Sequence, residues 1–412
     1  GKMNNASGVQ AFGVKMGIIQ PNDDIVKEVV NALTAEGKNE HCHELADGDI
    51  VCATESVVAR SQNNYITQEE LSNEIRKAMG ITNSGKIGVL FPILSRNRFA
   101  FLLKGIAKAS AAGEVIIQFS YPADEVGNPI IDEDYIYRHP LSEPVYYDSM
   151  DTVLKTFKHP VTGVNYIEYY KELIESEKAS ANLFLSNNPV SILKEPLDGL
   201  IIAFLHKRHH LKEIILEYVK ENKGQFAPDF QNKILNLDEL FSHERDGGWS
   251  EYGLLASNLA DSVTGLVKLA PRNADKVAED IKSEIKKTFG KSVEVMVYGD
   301  GCFKDNVTGI WELADPEPAL GCTTYLKNLV QYELKFKLFV SELTNKGLSR
   351  EEIEQTITAE KEKVTATDFK AEGTTPRMTK SLVASLADLV SGSGQRGTPL
   401  VVVKNYLLNY KG

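Results

Sequence analysis

The chain has 412 residues, 42% of them hydrophobic and 25% charged, and a formal net charge of -11. That balance disfavours non-specific binding to nucleic acid or an anionic membrane, so no partner of either kind is expected, and a phosphate-bearing ligand would need locally focused cations or a metal. The length predicts two or three domains, and four cysteines (Cys42, Cys52, Cys302, Cys322) without a C-x-x-C pair predict a reduced, cytoplasmic protein.

No apolar run approaches the length that spans a bilayer, and Gly1 to Asn5 carries no apolar signal core. Ala11 to Ile19 reads as a strand, and Asn22-Asp23-Asp24 caps a helix with Ile25, Val26, Val29, Val30 and Leu33. Asp49 to Thr54 is a second strand. Thr67 and Glu70 form a capping box ahead of Leu71, Ile75 and Met79. Lys86 to Pro92 and Glu114 to Ser120 are strand-like, with an apolar helix from Phe99 to Ala109 between them.

From 121 to 165, prolines punctuate a stretch rich in Tyr and Asp, which predicts an ordered but irregular insertion. Helices follow near 165–177 and 208–222, around the apolar run Leu200 to Leu205. The amphipathic helix Ala274 to Phe289 precedes the strand Val293 to Tyr298. A charged helical hairpin over 323–364, broken at Lys346-Gly347, reads as a homodimer arm or as a solvated antenna. The fold class expected is α+β, multi-domain, with mixed sheets and helices: residues 1–120, an inserted subdomain 121–248, and 249–412 including the hairpin.

Near the carboxyl end an apolar helical stripe runs into Gly392-Ser393-Gly394-Gln395-Arg396-Gly397-Thr398-Pro399 and then the strand Leu400 to Val403. Glycines at 392, 394 and 397 permit positive φ and a main-chain nest that suits phosphate. The spacing satisfies G-x-G-x-x-G, but a dinucleotide fold runs strand, loop, helix, and here a helix enters and a strand leaves. No Lys-Ser or Lys-Thr follows Gly397, so a P-loop fails too; a plain helix-to-strand connector is the alternative.

Asp300, between Gly299 and Gly301 at a strand's end, is the best metal candidate, for Mg2+ or Mn2+ on a nucleotide phosphate; the alternative is a simple Asp-Gly turn. Glu55, Ser56 and Arg60 offer an acid, a hydroxyl and a fixed cation after a strand, or merely an exposed helix start. His41-Cys42-His43 lacks the spacing to close on one ion. His206, His209 and His210 share a helical face, but Lys207 and Arg208 beside them oppose a cation, so a solvated basic helix is the reading.

Four separated stretches, in order, resemble the coenzyme F420-0:γ-glutamyl ligases. They are Gly17-Ile18-Ile19 with Asp23-Asp24; Asp47-Gly48-Asp49-Ile50-Val51 running to Ser56-Val57-Val58-Ala59-Arg60; Ala256-Ser257-Asn258 through Leu269-Ala270-Pro271 and Gly290-Lys291 to Gly299-Asp300-Gly301-Cys302-Phe303; and Ala384 through Gly392 to Val403. The insertion and the hairpin have no counterpart in that resemblance.

The resemblance implies a ligase-like fold in which a carboxylate acceptor is activated by GTP or another NTP with Mg2+ or Mn2+ and then joined to L-glutamate. It puts Asp300 and Arg60 in catalysis. Ser56, Asn258, Gly392, Ser393, Gly394 and Gly397 fall to the nucleotide, and Asp300 with Glu55 to the metal. Three positions depart from the family pattern: Leu255 stands where an acid precedes the Asn, Ser393 replaces an acid or amide in the loop, and Ser381-Leu382 replaces acids on a helix. Asp124, Glu125, Asp132, Glu133, Asp134 or Glu55 are the substitutes available, since a hard ion wants several oxygens. The rival expectation is a catalytically silent nucleotide- or metabolite-binding protein on the same fold, and a third is a structural dimer built through the hairpin.

Overall fold

The computed structural model describes residues 8–36, 44–96, 98–124, 128–160, 162–205, 207–255, 258, 260–261, 263–299, 318–331, 336–361, 377–392 and 397–411. In chain order, β1 (Gln10–Val14) and α1 (Ile25–Glu36) lead to β2 (Ile50–Thr54), α2 (Glu55–Ser61), β3 (Tyr65–Thr67) and α3 (Gln68–Met79). Next come β4 (Lys86–Leu90), α4 (Phe99–Ala109), β5 (Glu114–Phe119), α5 (Glu133–Arg138), β6 (Val145–Tyr146), α6 (Thr152–Thr156), α7 (Tyr166–Ser176), β7 (Ser180–Leu185), β8 (Gly199–Ile202), α8 (Arg208–Glu221) and β9 (Ile234–Asn236). The last third holds β10 (Leu266–Lys268), α9 (Ala274–Phe289), β11 (Glu294–Tyr298), β12 (Ala319–Cys322), α10 (Thr324–Lys327), β13 (Val330–Gln331), α11 (Phe336–Asn345), α12 (Arg350–Lys361), β14 (Arg377–Met378), α13 (Thr379–Ser391) and β15 (Leu400–Lys404). Mixed sheets and helices together give the α+β class that the element pattern predicts.

The first main sheet has the order β1-β15-β2-β11-β12. Its strands are apolar on both sides, as a sheet covered on both faces requires. Val51, Ala53, Val295, Val297 and Val402 pack under α1 and α9. The alternate residues Ile50, Cys52, Met296, Val401 and Val403 pack under α13. The strand expected from 11 to 19 stops at Val14, opposite Leu400. Its partner begins there, after Pro399, which has no N–H to continue the ladder.

The second sheet has the order β6-β7-β5-β4-β8-β9, parallel throughout except for β6 at one edge. Ile87, Val89, Val115 and Ile117 face α4 and α7. Leu90, Ile116, Leu200 and Ile202 face α8. The boundary expected at 120 therefore falls inside a hydrogen-bonded sheet, because β4 and β5 pair with β8 and β7 from beyond it. An apolar run announces a buried strand without naming its partner. The described residues of 121–165 are as irregular as the prolines predict, with two short α-helices, a 3-10 turn and a two-residue edge strand. The hairpin proper is α11 and α12; residues expected to begin it instead form α10 and β13, the latter paired with β14. It breaks at Gly347, φ +79°, where the sequence places the turn.

Glu294, at the start of β11, is fully buried. Its carboxylate accepts from Lys282 Nζ at 3.0 Å, from Thr323 Oγ1 at 2.8 Å and from the Tyr410 hydroxyl at 3.3 Å. Burial, then the neighbouring Glu294, push the Tyr410 phenol above its ordinary pKa, so it stays a donor. Replacing Lys282 with Ala strands a buried carboxylate. The expected loss is about 3 kcal/mol, read as a lowered urea midpoint with an unchanged slope.

Candidate functional site

β2 and β11 run parallel, with Tyr298 opposite Thr54. β15 runs antiparallel to β2, so its beginning lies at the same edge as their ends, Leu400 opposite Ala53. One carbonyl ties the three together: Pro399 O accepts the Thr54 N–H at 2.9 Å and the Tyr298 hydroxyl at 3.3 Å. The exit of the glycine-rich loop is thus pinned between the strand that leads to Glu55 and Ser56 and the strand that leads to Gly299. Asp300 is the next residue; it, Ser393 and Gly394 lie outside the described residues.

The two described glycines of the loop differ in their work. Gly392, at φ +58°, ends α13 in the left-handed conformation and donates its N–H to Asp388 O. Gly397 also has positive φ, +70°, with no described atom within 4 Å of where a Cβ would stand. Its glycine answers to conformation rather than crowding.

Ser56 is the second residue of α2, immediately after β2. The chain turns from α2 into β3, and β3 pairs with β10 so that Tyr65 faces Lys268. This brings Lys268 Nζ to Ser56 Oγ at 2.8 Å. A half-buried ammonium beside a hydroxyl is a donor set for anionic oxygens. Among the described residues the cation bonded to Ser56 is Lys268; Arg60 lies one helical turn further on, exposed. Glu55 opens the same helix and is half-buried.

Asn258 is buried at 6% exposure. Its Oδ1 accepts the Leu255 N–H at 2.8 Å, and its Nδ2 donates to the carbonyl of Lys268 at 3.1 Å. Both ends of the amide are engaged with main chain, so here Asn258 acts as a positioning residue for Lys268.

This set of residues spans the two ends of the chain, and so does the family comparison. The model of the F420-0:Gamma-glutamyl ligase family matches residues 13–405. The chain belongs to the F420-0:gamma-glutamyl ligase family. No curated protein matches it. The family match runs through residues 121–245 and the helical hairpin as well, which the sequence resemblance did not reach. Membership marks the protein as of the γ-glutamyl ligase type.

In this ligase the position of the missing acid is apolar in its surroundings. Leu255 is buried against Ala270, Leu320 and Tyr252. Its carbonyl accepts from Arg208 at 2.6 Å, and the same guanidinium holds the carbonyls of Leu254 at 2.9 Å, Phe204 at 3.1 Å and Leu205 at 3.5 Å. Arg208 is 3% exposed, which corrects the reading of a wholly solvated basic helix. Burial lowers its pKa, partly offset by Asp238. Sequence carried one signal for it: a cation as the first residue of α8 opposes the helix dipole and needs a tertiary reason.

His209 Nε2 lies 2.9 Å from Asp238, and His210 Nδ1 lies 3.7 Å from Glu213; His206, and the His41-Cys42-His43 run, lie outside the described residues. Among the described residues no three His, Cys, Asp or Glu side chains close on a common point. Two of the candidate replacement acids have local work on the second sheet's loops. Asp124 accepts from Asn128, and Asp132 caps α5; Glu125 lies outside the described residues. No helix among the described residues is long and apolar enough to cross a membrane.

Replacing Arg208 with Met leaves four buried carbonyls short of a donor. The expected cost is about 3 kcal/mol, seen as a lower thermal midpoint, whereas exposed Arg60→Met leaves that midpoint near the wild-type value.

Proposed function

We propose that the protein is an NTP-dependent, metal-assisted ligase that joins L-glutamate to a small-molecule carboxylate acceptor. The observation that carries this reading is the shared edge: Pro399 O bonded to both Thr54 and Tyr298, with the Ser56–Lys268 pair beside it. A carboxylate is a poor electrophile until one oxygen becomes a good leaving group. Attack of the acceptor carboxylate on the terminal phosphorus of GTP, or another NTP, gives an acyl phosphate and the nucleoside diphosphate. The amine of glutamate then attacks the acyl carbon, loses a proton, and phosphate leaves.

Lys268 and Ser56 suit the phosphate oxygens as ammonium and hydroxyl donors, with the main chain around Gly397 beside them. Asp300 and Glu55 are the oxygen donors for Mg2+ or Mn2+, an ion that would neutralise charge on the transferring group. Arg60 extends the positive field of this edge from the same helix. Asn258 serves by holding the Lys268 backbone. The reading includes a cytoplasmic setting and a homodimer formed through the hairpin of α11 and α12, with no nucleic acid or membrane partner.

The buried apolar setting of Leu255 favours a second reading, a nucleotide-binding protein without turnover. Mass spectrometry of a metabolite extract incubated with protein, GTP, Mn2+ and isotopically labelled L-glutamate separates the two. The ligase yields a labelled amide product that requires both nucleotide and metal. Nucleotide-induced thermal stabilisation that ignores metal, with no labelled product, selects the binder.

Two variants test the roles. Lys268→Met is expected to lower kcat/KM for the nucleotide by about 100-fold. Asp300→Asn is expected to abolish metal-dependent turnover while the circular dichroism of the fold stays unchanged; full activity in that variant would remove Asp300 from the mechanism.

A further inference from the structure

The second sheet holds a cavity lined by none of the residues assigned to the ligase chemistry. Its parallel strands stand in the order β7-β5-β4-β8-β9. The chain starts at β4, moves outward to β5 and β7, then crosses to the other side of β4 for β8 and β9. Helix α4 therefore covers one face and α8 the other. The strand order reverses between β4 and β8, and open α/β sheets take their ligands beyond the carboxyl ends of the strands at such a point.

A cavity of about 400 Å3 occupies that place, within the range of small-molecule sites. Residues just past four strands line it: Phe91 after β4, Ser120 after β5, Asn187 after β7 and Phe204 after β8. Phe119 and Tyr121 add two more aromatic rings. The Phe91 and Phe204 rings meet edge to face, their centroids 6.1 Å apart. The Tyr121 hydroxyl donates to the carbonyl of His139, which fixes that ring. Phe91 has φ +52°, where glycine would sit without strain and bulky residues rarely do; its N–H donates to Gln118 O at 2.9 Å. Conformations of this kind cluster at ligand sites.

One charged side chain is among the lining residues, the carboxylate of Asp124. It is 9% exposed. Asn128 fixes it, donating its main-chain and side-chain amides to the two oxygens at 2.8 and 2.9 Å. A carboxylate offers about four acceptor positions, so two amides do not exhaust it. The basic groups nearby count for less. Arg96 is exposed and does not line the cavity, so solvent and salt screen it. His159 is half-buried, and burial lowers its pKa against the pull of Asp124, which keeps its ring neutral at pH 7. The loop from β4 to α4, Phe91 to Arg98, contains no glycine, so its main chain lacks the close approach that a dinucleotide pyrophosphate needs.

We propose that this cavity binds a small aromatic amine: a flat molecule of one or two rings held among Phe91, Tyr121 and Phe204, with its ammonium matched to Asp124. Aromatic faces attract both rings and cations, and a buried carboxylate acts on an ammonium through less solvent than an exposed one does.

The test is a calorimetric titration of the full chain with three probes that share an indole ring: cationic tryptamine, uncharged indole and anionic indole-3-propionate. Wild type is expected to take one equivalent of tryptamine, to bind indole about tenfold more weakly and to bind indole-3-propionate more weakly still. Asp124→Asn is expected to bring tryptamine within about twofold of indole. Indole binding in that variant reports that the cavity itself survives. Phe91→Gly removes a ring where glycine is unstrained; it is expected to weaken tryptamine and indole alike by about tenfold, with the circular dichroism of the fold unchanged. Equal binding of the three probes in wild type, a tryptamine preference that persists in Asp124→Asn, or wild-type affinity in Phe91→Gly overturns the proposal. So does absence of saturable tryptamine binding in wild type. Turnover is not measured, so the ligase reading stands or falls separately.

Discussion

A half-buried ammonium stays beside a hydroxyl only if the backbone behind it is fixed, and in this protein Asn258 does the fixing. Its amide grips Lys268 through the main chain, and Lys268 reaches across 212 residues of sequence to Ser56. Ser56 is itself placed by β2, whose end is locked to Pro399. A short relay of hydrogen bonds thus joins the middle of the chain, the corner between β2 and α2, and the last strand. Without it, three loops from distant parts of the sequence would have no common frame.

Local signals in the sequence announced much of this frame. The box at Thr67 and Glu70 forms as an N-cap, with Glu70 N–H donating to Thr67 Oγ1 at 3.0 Å. Of the apolar face Val277, Ile281 and Ile285 on α9, the two isoleucines are buried and Val277 partly so, as the 3.6-residue spacing leads one to expect. The glycine-rich corner does run helix, loop, strand. What the sequence could not convey is partnership. Apolar runs at 86–90, 114–119 and 199–202 each read as buried strands, yet nothing in them tells which lies beside which. Lys268 sits alone in a three-residue strand, and Arg208 hides in a run of basic residues whose neighbours do face water. Both owe their roles to contacts made far away along the chain.

The exchange of an acid for Leu255 gains meaning from its surroundings. A carboxylate in that apolar cluster would face a desolvation cost that the Arg208 guanidinium could only partly offset, since four carbonyls already claim it. The leucine and the arginine therefore belong together. One removes a charge from the interior, and the other knits the 254–255 segment to the end of β8.

The second sheet is not an ornament that could be clipped away. Its principal core runs without interruption into Ile66 of β3, Leu71 and Ile75 of α3, and Val267 of β10. Trimming the second sheet away would lay bare the underside of the β3–β10 pair that carries Lys268. Any engineered shortening would have to repaint that apolar underside with polar residues before it yielded a well-behaved protein.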